Sequence, residues 1–238
     1  MKKAIIIGAS SGIGKQLAKV LSENGYILGL SARRVELLAE LKKNPPCQCY
    51  IHYMDITNTR EAASALSDMI AEMGGIDLIV ISAGVGYVNQ ELRLDLEEDT
   101  VMTNVIGFTA IINAALMYFM NKGEGHIAAI SSVAAIRGGA DGPAYYASKA
   151  YISNYLEGVR CKVMKENMNI SVTDIRPGLV DTAMAKGEGL FWVMPLEKAA
   201  KQIYKAICKR KAIVYVTKRW GLIAFVLRIM PIWLYSKL

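Results

Sequence analysis

Residues 144–150 read AYYASKA, with Tyr145 and Lys149 four positions apart. On a helix that spacing puts a phenol and an ammonium on one face. A free phenol has a pKa of about 10, a poor match for proton transfer at neutrality. A neighbouring ammonium favours the phenolate and lowers that value. The pair therefore reads as a candidate acid/base. Tyr118 and Lys122, in YFMNK, repeat the spacing. They precede the β-rich run 126–131, whereas Tyr145 follows it, and ligands of α/β sheets gather beyond the carboxyl ends of strands. Ser132 follows that run thirteen positions before Tyr145; the same offset from Tyr118 lands on Val105. Tyr146 would point roughly 100° away around the helix. Tyr145 is the residue expected to do the chemistry.

The frame for these groups is a run of alternating elements. Strands are expected at 3–7, 26–31, 48–54, 76–82, 126–131, 170–175 and 212–216. Several are apolar on both faces, as strands covered above and below would be. Between them lie helical stripes such as Ile13, Leu17, Val20 and Leu21, or Val35, Leu38 and Leu41. Gly25 closes the first helix and NPP at 44–46 the second. Strands separated by helices imply crossover connections and hence a mainly parallel sheet. The expectation is one doubly wound α/β domain over residues 1–217, with seven strands and helices on both faces, followed by an apolar, basic tail at 218–238.

The first strand runs into GASSGIGKQLAKVL. Gly8, Gly12 and Gly14 fall where the chain must turn sharply into a helix, with Ser10, Ser11 and Ile13 among them. Glycine allows positive φ and a close backbone approach to a ligand. The unpaired N–H groups opening the helix favour an anion such as a pyrophosphate. The G-x-x-x-G-x-G spacing is neither the G-x-G-x-x-G fingerprint nor a Walker loop. The second strand ends in LSARRVE, with no acid at Ser31 or Ala32 to accept from a ribose 2′-hydroxyl. Arg33 and Arg34 follow instead, and arginine grips a 2′-phosphate with paired hydrogen bonds. NADP(H) is favoured, with NAD(H) as the alternative.

In this glycine spacing, and in the order and spacing of Ser132, Tyr145 and Lys149, the chain resembles the short-chain dehydrogenase/reductase family over roughly residues 3–216. The resemblance implies a Rossmann-like fold and hydride transfer between a nicotinamide and a ketone, aldehyde or secondary alcohol. It implies that Ser132 holds the substrate oxygen, Tyr145 is the acid/base, and Lys149 also holds the nicotinamide ribose. Asn104, in TNVIG, matches the family member that anchors a water linking lysine to solvent. Asp55, in MDIT, matches the residue that hydrogen-bonds adenine. PGLVDTAM, opening at Pro177 and Gly178, matches the segment that puts Thr182 near the pyrophosphate or carboxamide. Ser82, Ala83 and Gly84 stand where the family has N-A-G, so a serine replaces an amide that serves sheet stability or cofactor affinity. Pairing through the helices carrying Asn104 and Tyr145 is implied too, as a homodimer or homotetramer.

Composition narrows the rest. Hydrophobic content of 53% excludes a disordered chain. The net charge of +7 suits a basic soluble protein, a nucleic-acid binder or a membrane surface. No basic run exceeds Lys209, Arg210 and Lys211, and none alternates with aromatics, so no nucleic acid is expected. Cys47 and Cys49 lack a second pair, and His52 and His126 lie elsewhere, so no zinc site is expected. The start MKKAIII is too short in its apolar run for a signal peptide, and the expected location is cytoplasmic. Leu190, Phe191, Trp192, Val193 and Met194, in the loop at 183–196, suit an apolar carbonyl or alcohol substrate, or packing on the core or on a partner subunit. The tail mixes Lys218, Arg219, Arg228 and Lys237 with Trp220, Trp233 and Tyr235, and Pro231 would interrupt a helix there. Such a segment suits peripheral contact with the inner face of a membrane, a cap on the pocket, or a subunit contact. Competing functions are a non-catalytic dinucleotide-binding regulator and a membrane-associated scaffold.

Overall fold

The computed structural model describes residues 1–43, 48–183 and 192–237. Residues 44–46, Leu190 and Phe191 lie outside them. Seven strands form one parallel sheet: β1 (Lys3–Ile7), β2 (Ile27–Ala32), β3 (Cys49–Tyr53), β4 (Leu78–Ile81), β5 (Glu124–Ile130), β6 (Asn169–Pro177) and β7 (Ile213–Val216). Their order is β3-β2-β1-β4-β5-β6-β7. The helices are α1 (Gly12–Glu23), α2 (Val35–Lys43), α3 (Thr59–Glu72), α4 (Leu94–Val101), α5 (Phe108–Lys122), α6 (Pro143–Lys165), α7 (Leu196–Cys208), α8 (Lys218–Ile229) and α9 (Ile232–Tyr235). A π-helical turn, Met102–Gly107, joins α4 to α5.

Side chains alternate across a strand, and the core divides accordingly. Ile5 and Ile7 of β1, with Ile79 and Ile81 of β4, pack against α3, α5 and α6. Ala4, Ile6, Leu78 and Val80 pack on the other face against α1, α2 and α7. The stripe expected in the first helix does this, with Leu17, Val20 and Leu21 buried. The run Leu94–Lys122 is long and apolar enough to cross a membrane. Its composition has a local cause: Phe108, Ile111, Ile112, Ala115 and Phe119 are buried in the core. The strand order reverses direction between β1 and β4, and crevices at such switch points bind ligands. Register aligns Ile7 with Ser31 and Ile81, so the carboxyl ends of β1, β2 and β4 share one rim.

Tyr118 and Lys122 serve the opposite end. The Ile76 N–H donates to Tyr118 Oη at 3.0 Å, and Lys122 Nζ donates to Ile76 O at 2.7 Å and Asp77 Oδ1 at 2.9 Å. They fasten the chain where it enters β4.

His126, also far from the rim, is buried in β5. Its Nε2 lies 2.8 Å from Thr173 Oγ1, whose hydroxyl donates to Lys211 O at 2.6 Å. The hydroxyl has one proton, so it accepts from Nε2–H. Burial, with help from the Arg210 charge, pushes the His126 pKa down to about 4. The unfolded value is about 6.5, so between these values the unfolded chain takes up a proton that the folded chain refuses. Stability is full above about pH 6.5 and falls as pH drops toward 4. Each unit is worth about 1.4 kcal/mol, so the loss reaches at most roughly 3 kcal/mol. Urea midpoints should fall over this window in the wild type and fall less in His126→Gln; parallel profiles would contradict the assignment.

Candidate active site

The turn after β1 is built by close packing. Gly8 has φ +86°, and its N–H donates to Ser31 O at 2.8 Å. A Cβ on Gly8 would lie 2.5 Å from Ala83 N, and one on Gly14 would lie 2.2 Å from Gly8 O. Gly14 therefore packs the turn from behind and does not line the cavity. Ser82 Oγ is 3.1 Å from that same Gly14 position, so the small serine lies against the turn. Ser11 caps α1 with an extended backbone, and its side chain makes no capping hydrogen bond. The first-turn amides keep their donor capacity toward the rim.

Around this turn lies a cavity of about 930 Å³. One end is formed by Gly8, Ser10, Ser11, Gly12 and Ile13 with Arg33, Arg34 and Asp55. Arg33 and Arg34 are exposed there, and Arg34 Nη2 donates to Ser11 Oγ at 3.0 Å. Asp55 Oδ1 accepts from the Thr57 N–H at 3.0 Å and the Thr57 hydroxyl at 2.8 Å, which fixes the carboxylate beside the rim. Thr182 lies over Gly12, its Cγ2 3.8 Å from where a Cβ would be. Ser82, Ala83, Gly84, Pro177 and Gly178 form the middle. Free amides, a close-packed glycine turn and two guanidinium groups suit the phosphates of a dinucleotide.

Ser132, Tyr145 and Lys149 meet at the other end. Ser132 follows β5 as the cap of a short 3₁₀ turn, Val133–Ile136; its Oγ accepts from Ala134 N at 3.1 Å. Tyr145 and Lys149 occupy the opening turns of α6, which Pro143 starts. Lys149 is buried, with Nζ 5.6 Å from the Tyr145 ring centre and donating to Ile130 O at 3.2 Å.

The electrostatics differ from the expectation that Lys149 lowers the phenol. Burial raises the Tyr145 pKa above the ordinary tyrosine value, and the opposing pull is a hydrogen bond with Ser132. Lys149 is aimed at the Ile130 carbonyl, and burial pushes its own pKa down to about 8. The charge that resists this fall is Asp174.

Asn104 is fully buried in the π-helical turn and does not line the cavity. Its Nδ2 donates to Val85 O at 2.7 Å and Ser148 Oγ at 3.0 Å, and its Oδ1 accepts from Val85 N at 2.9 Å. Ser148 Oγ donates to Tyr145 O at 2.7 Å. Asn104 thus ties the loop after β4 to the helix carrying the tyrosine. A Cβ on Gly84 would fall 3.1 Å from Asn104 Oδ1 and 3.4 Å from Lys149 Nζ, so the two groups flank one glycine.

Several neighbours were not anticipated. Gly86 lies on the Tyr145 ring, where a Cβ would come within 2.6 Å of it. Asp174 and Arg176 form an ion pair of 2.7 Å, buried on both sides, and Ser131 Oγ donates to Asp174. The two charges in VTDIRP, two apart within a strand, were the legible signal. The tail left none. Helix α8 lays Trp220 on Gly178, where a Cβ would fall 2.2 Å from the indole, and Trp220, Leu227 and Tyr235 complete the cavity wall. Pro231 separates α8 from α9 as expected.

The short chain dehydrogenase family model matches residues 2–190. An uncharacterized oxidoreductase of Myxococcus xanthus is 32% identical over 188 residues, covering 77% of this chain and 74% of that protein. Among solved structures, an alcohol dehydrogenase of Thermococcus sibiricus complexed with 5-hydroxy-NADP superposes with a TM-score of 0.78 at 23% identity, covering 90% of this chain and 95% of that one. A 3-ketoacyl-(acyl-carrier-protein) reductase of Brucella melitensis complexed with NADH gives 0.80 at 19% identity, covering 90% and 96%. With the family model spanning most of the chain and the parallel sheet beneath it, this protein belongs to the short-chain dehydrogenase family and is an NAD(P)-dependent oxidoreductase.

Proposed function

We propose that the protein uses NADP(H) to interconvert an apolar ketone or aldehyde with an alcohol, with Tyr145 as the acid/base. The observation that carries this is the convergence of Ser132, Tyr145 and Lys149 on one cavity that also reaches the α1 amides and Arg33 and Arg34. When bound, the dinucleotide supplies or accepts the hydride. In reduction, the Ser132 hydroxyl orients the substrate carbonyl and the Tyr145 phenol donates its proton to the carbonyl oxygen. A phenol held protonated by burial suits that direction. Lys149, with a pKa of about 8, keeps its proton at neutrality yet can release it, and so can recharge the phenol.

Arginines at the rim, with Ser31 and Ala32 in place of a carboxylate, support NADP(H) over NAD(H). Trp220, Leu227 and Tyr146 at the far end support an apolar substrate. Exposed Val101, Met102, Ile106 and Met117, on the helical run that carries Asn104, support a homodimer or homotetramer. Peripheral membrane contact through residues 218–238 is independent of this chemistry and rests on the composition of the tail.

Three results would test it. Tyr145→Phe should lower turnover at least about a hundredfold while NADPH still binds, whereas Tyr118→Phe should cost stability and leave turnover near wild type. Equal losses of turnover would defeat the assignment. Arg33→Ala or Arg34→Ala should weaken NADPH about tenfold or more relative to NADH, since charged hydrogen bonds are strong; an unchanged preference would argue against a phosphate site. The rate of reduction should decline as pH rises through about 8, where Lys149 loses its proton. Asp174→Asn removes the charge that holds that proton, so the decline should move to lower pH; an unmoved limb would exclude Lys149 as its source.

A further inference from the structure

Helix α8 is apolar on two sides. Trp220, Ala224 and Leu227, at helical spacing, face the body of the protein; the first two are buried, and Trp220 and Leu227 line the cavity. Leu222, Phe225, Val226 and Ile229 share the opposite side and are 70, 61, 44 and 64% exposed. Ile232 and Trp233 of α9 add further exposed apolar surface. A helix apolar all round is normally enclosed, and a continuous exposed apolar patch marks a surface that meets something.

The surrounding charge selects the occupant. Lys218, Arg219, Arg228 and Lys237 are exposed on or beside these two helices. Residues 198–238 contain ten Lys or Arg and no Asp or Glu. A second copy docked across a two-fold axis would set these cations against one another, with no carboxylate within 198–238 to pair with them. Anionic lipid headgroups accept them, and long cationic side chains reach the headgroups while their stems lie along apolar surface. An exposed tryptophan suits the same interface.

The inner side of the same helix roofs the cavity. Arg137 Nη1 donates to Leu227 O at 2.9 Å and Met230 O at 2.7 Å, closing the carboxyl end of α8. Its guanidinium lies 4.6 Å from the centre of the Tyr235 ring, and Tyr235 Oη donates to Gly138 O at 2.6 Å. The roof is thus latched to the segment that follows Ser132.

We infer that the outer face of α8 and α9 rests on an anionic lipid bilayer, so that one helix pair both docks the protein and covers the cavity, and an apolar substrate reaches Tyr145 from the membrane beneath the Arg137 latch. The route of the substrate rests on the oxidoreductase reading; the docking does not.

The full chain should be sedimented with vesicles of phosphatidylcholine alone and of phosphatidylcholine with phosphatidylglycerol. Four cations near an anionic surface should tighten binding about tenfold or more at low salt, with a blue shift in tryptophan emission. The combined change Phe225→Ser, Ile229→Ser and Trp233→Ser alters only exposed positions. It should abolish sedimentation and spare turnover of a water-soluble aldehyde, while slowing turnover of a ketone dissolved in the vesicles. No binding by the wild type, or equal binding to both vesicles, would overturn the inference. So would a non-binding dimer that the triple variant converts to monomer, which would assign the face to a second copy. Sedimentation without any carbonyl turnover would leave the docking and refute the oxidoreductase reading; turnover without sedimentation would do the reverse.

Discussion

Parallel strands joined by crossover helices end at a common edge, and the rest of this molecule depends on that constraint. Because β1, β2, β4, β5 and β6 run the same way, residues distant in sequence arrive at one rim. Gly8 follows β1, Arg33 follows β2, Ser132 follows β5, and Pro177 ends β6. Helices α1 and α6 then begin at that rim, presenting unpaired amides in one case and Tyr145 with Lys149 in the other. A helix begun at the opposite end of a strand could carry the same residues to no effect. Tyr118 and Lys122 illustrate this: identical spacing, at the far end, serves to fasten a chain segment.

Burial does most of the electrostatic work at the rim. It raises the Tyr145 pKa and lowers that of Lys149 to about 8, drawing two groups of high intrinsic pKa apart. Such a separation suits the donor and relay roles proposed for them. Asp174 keeps the lysine from falling further, and Arg176 and Ser131 pair with Asp174 in the interior. The site thus extends back along β6 from the residues that touch the cavity.

The tail completes the enclosure. Glycine at position 178 leaves room for the Trp220 indole directly on the strand end, and Arg137 holds the last carbonyls of α8 where a helix terminus would otherwise need solvent or another cap. Trp220 and Leu227 thereby add apolar surface to the cavity wall.

Periodicity and turn chemistry made the seven strands, the glycine turn and the tyrosine–lysine pair readable in the sequence, because these are local rules in which spacing alone decides what shares a face. Gly25 and Pro231 punctuate their helices for the same reason. Other features depend on contacts across long separations. Gly86 against the Tyr145 ring, Asn104 bound to Val85 and Ser148, and Trp220 on Gly178 each join segments that no local pattern relates. The direction of the tyrosine shift belongs to the same class. Spacing showed that Lys149 stands near Tyr145, but only packing determined that burial would raise the phenol's pKa against the Ser132 hydrogen bond and that the lysine would turn to the Ile130 carbonyl. Composition likewise identified the tail as apolar and basic. Which of its sides is covered was settled by the docking of α8 on the sheet, since a helix apolar on two sides carries no mark of the side its own fold will bury.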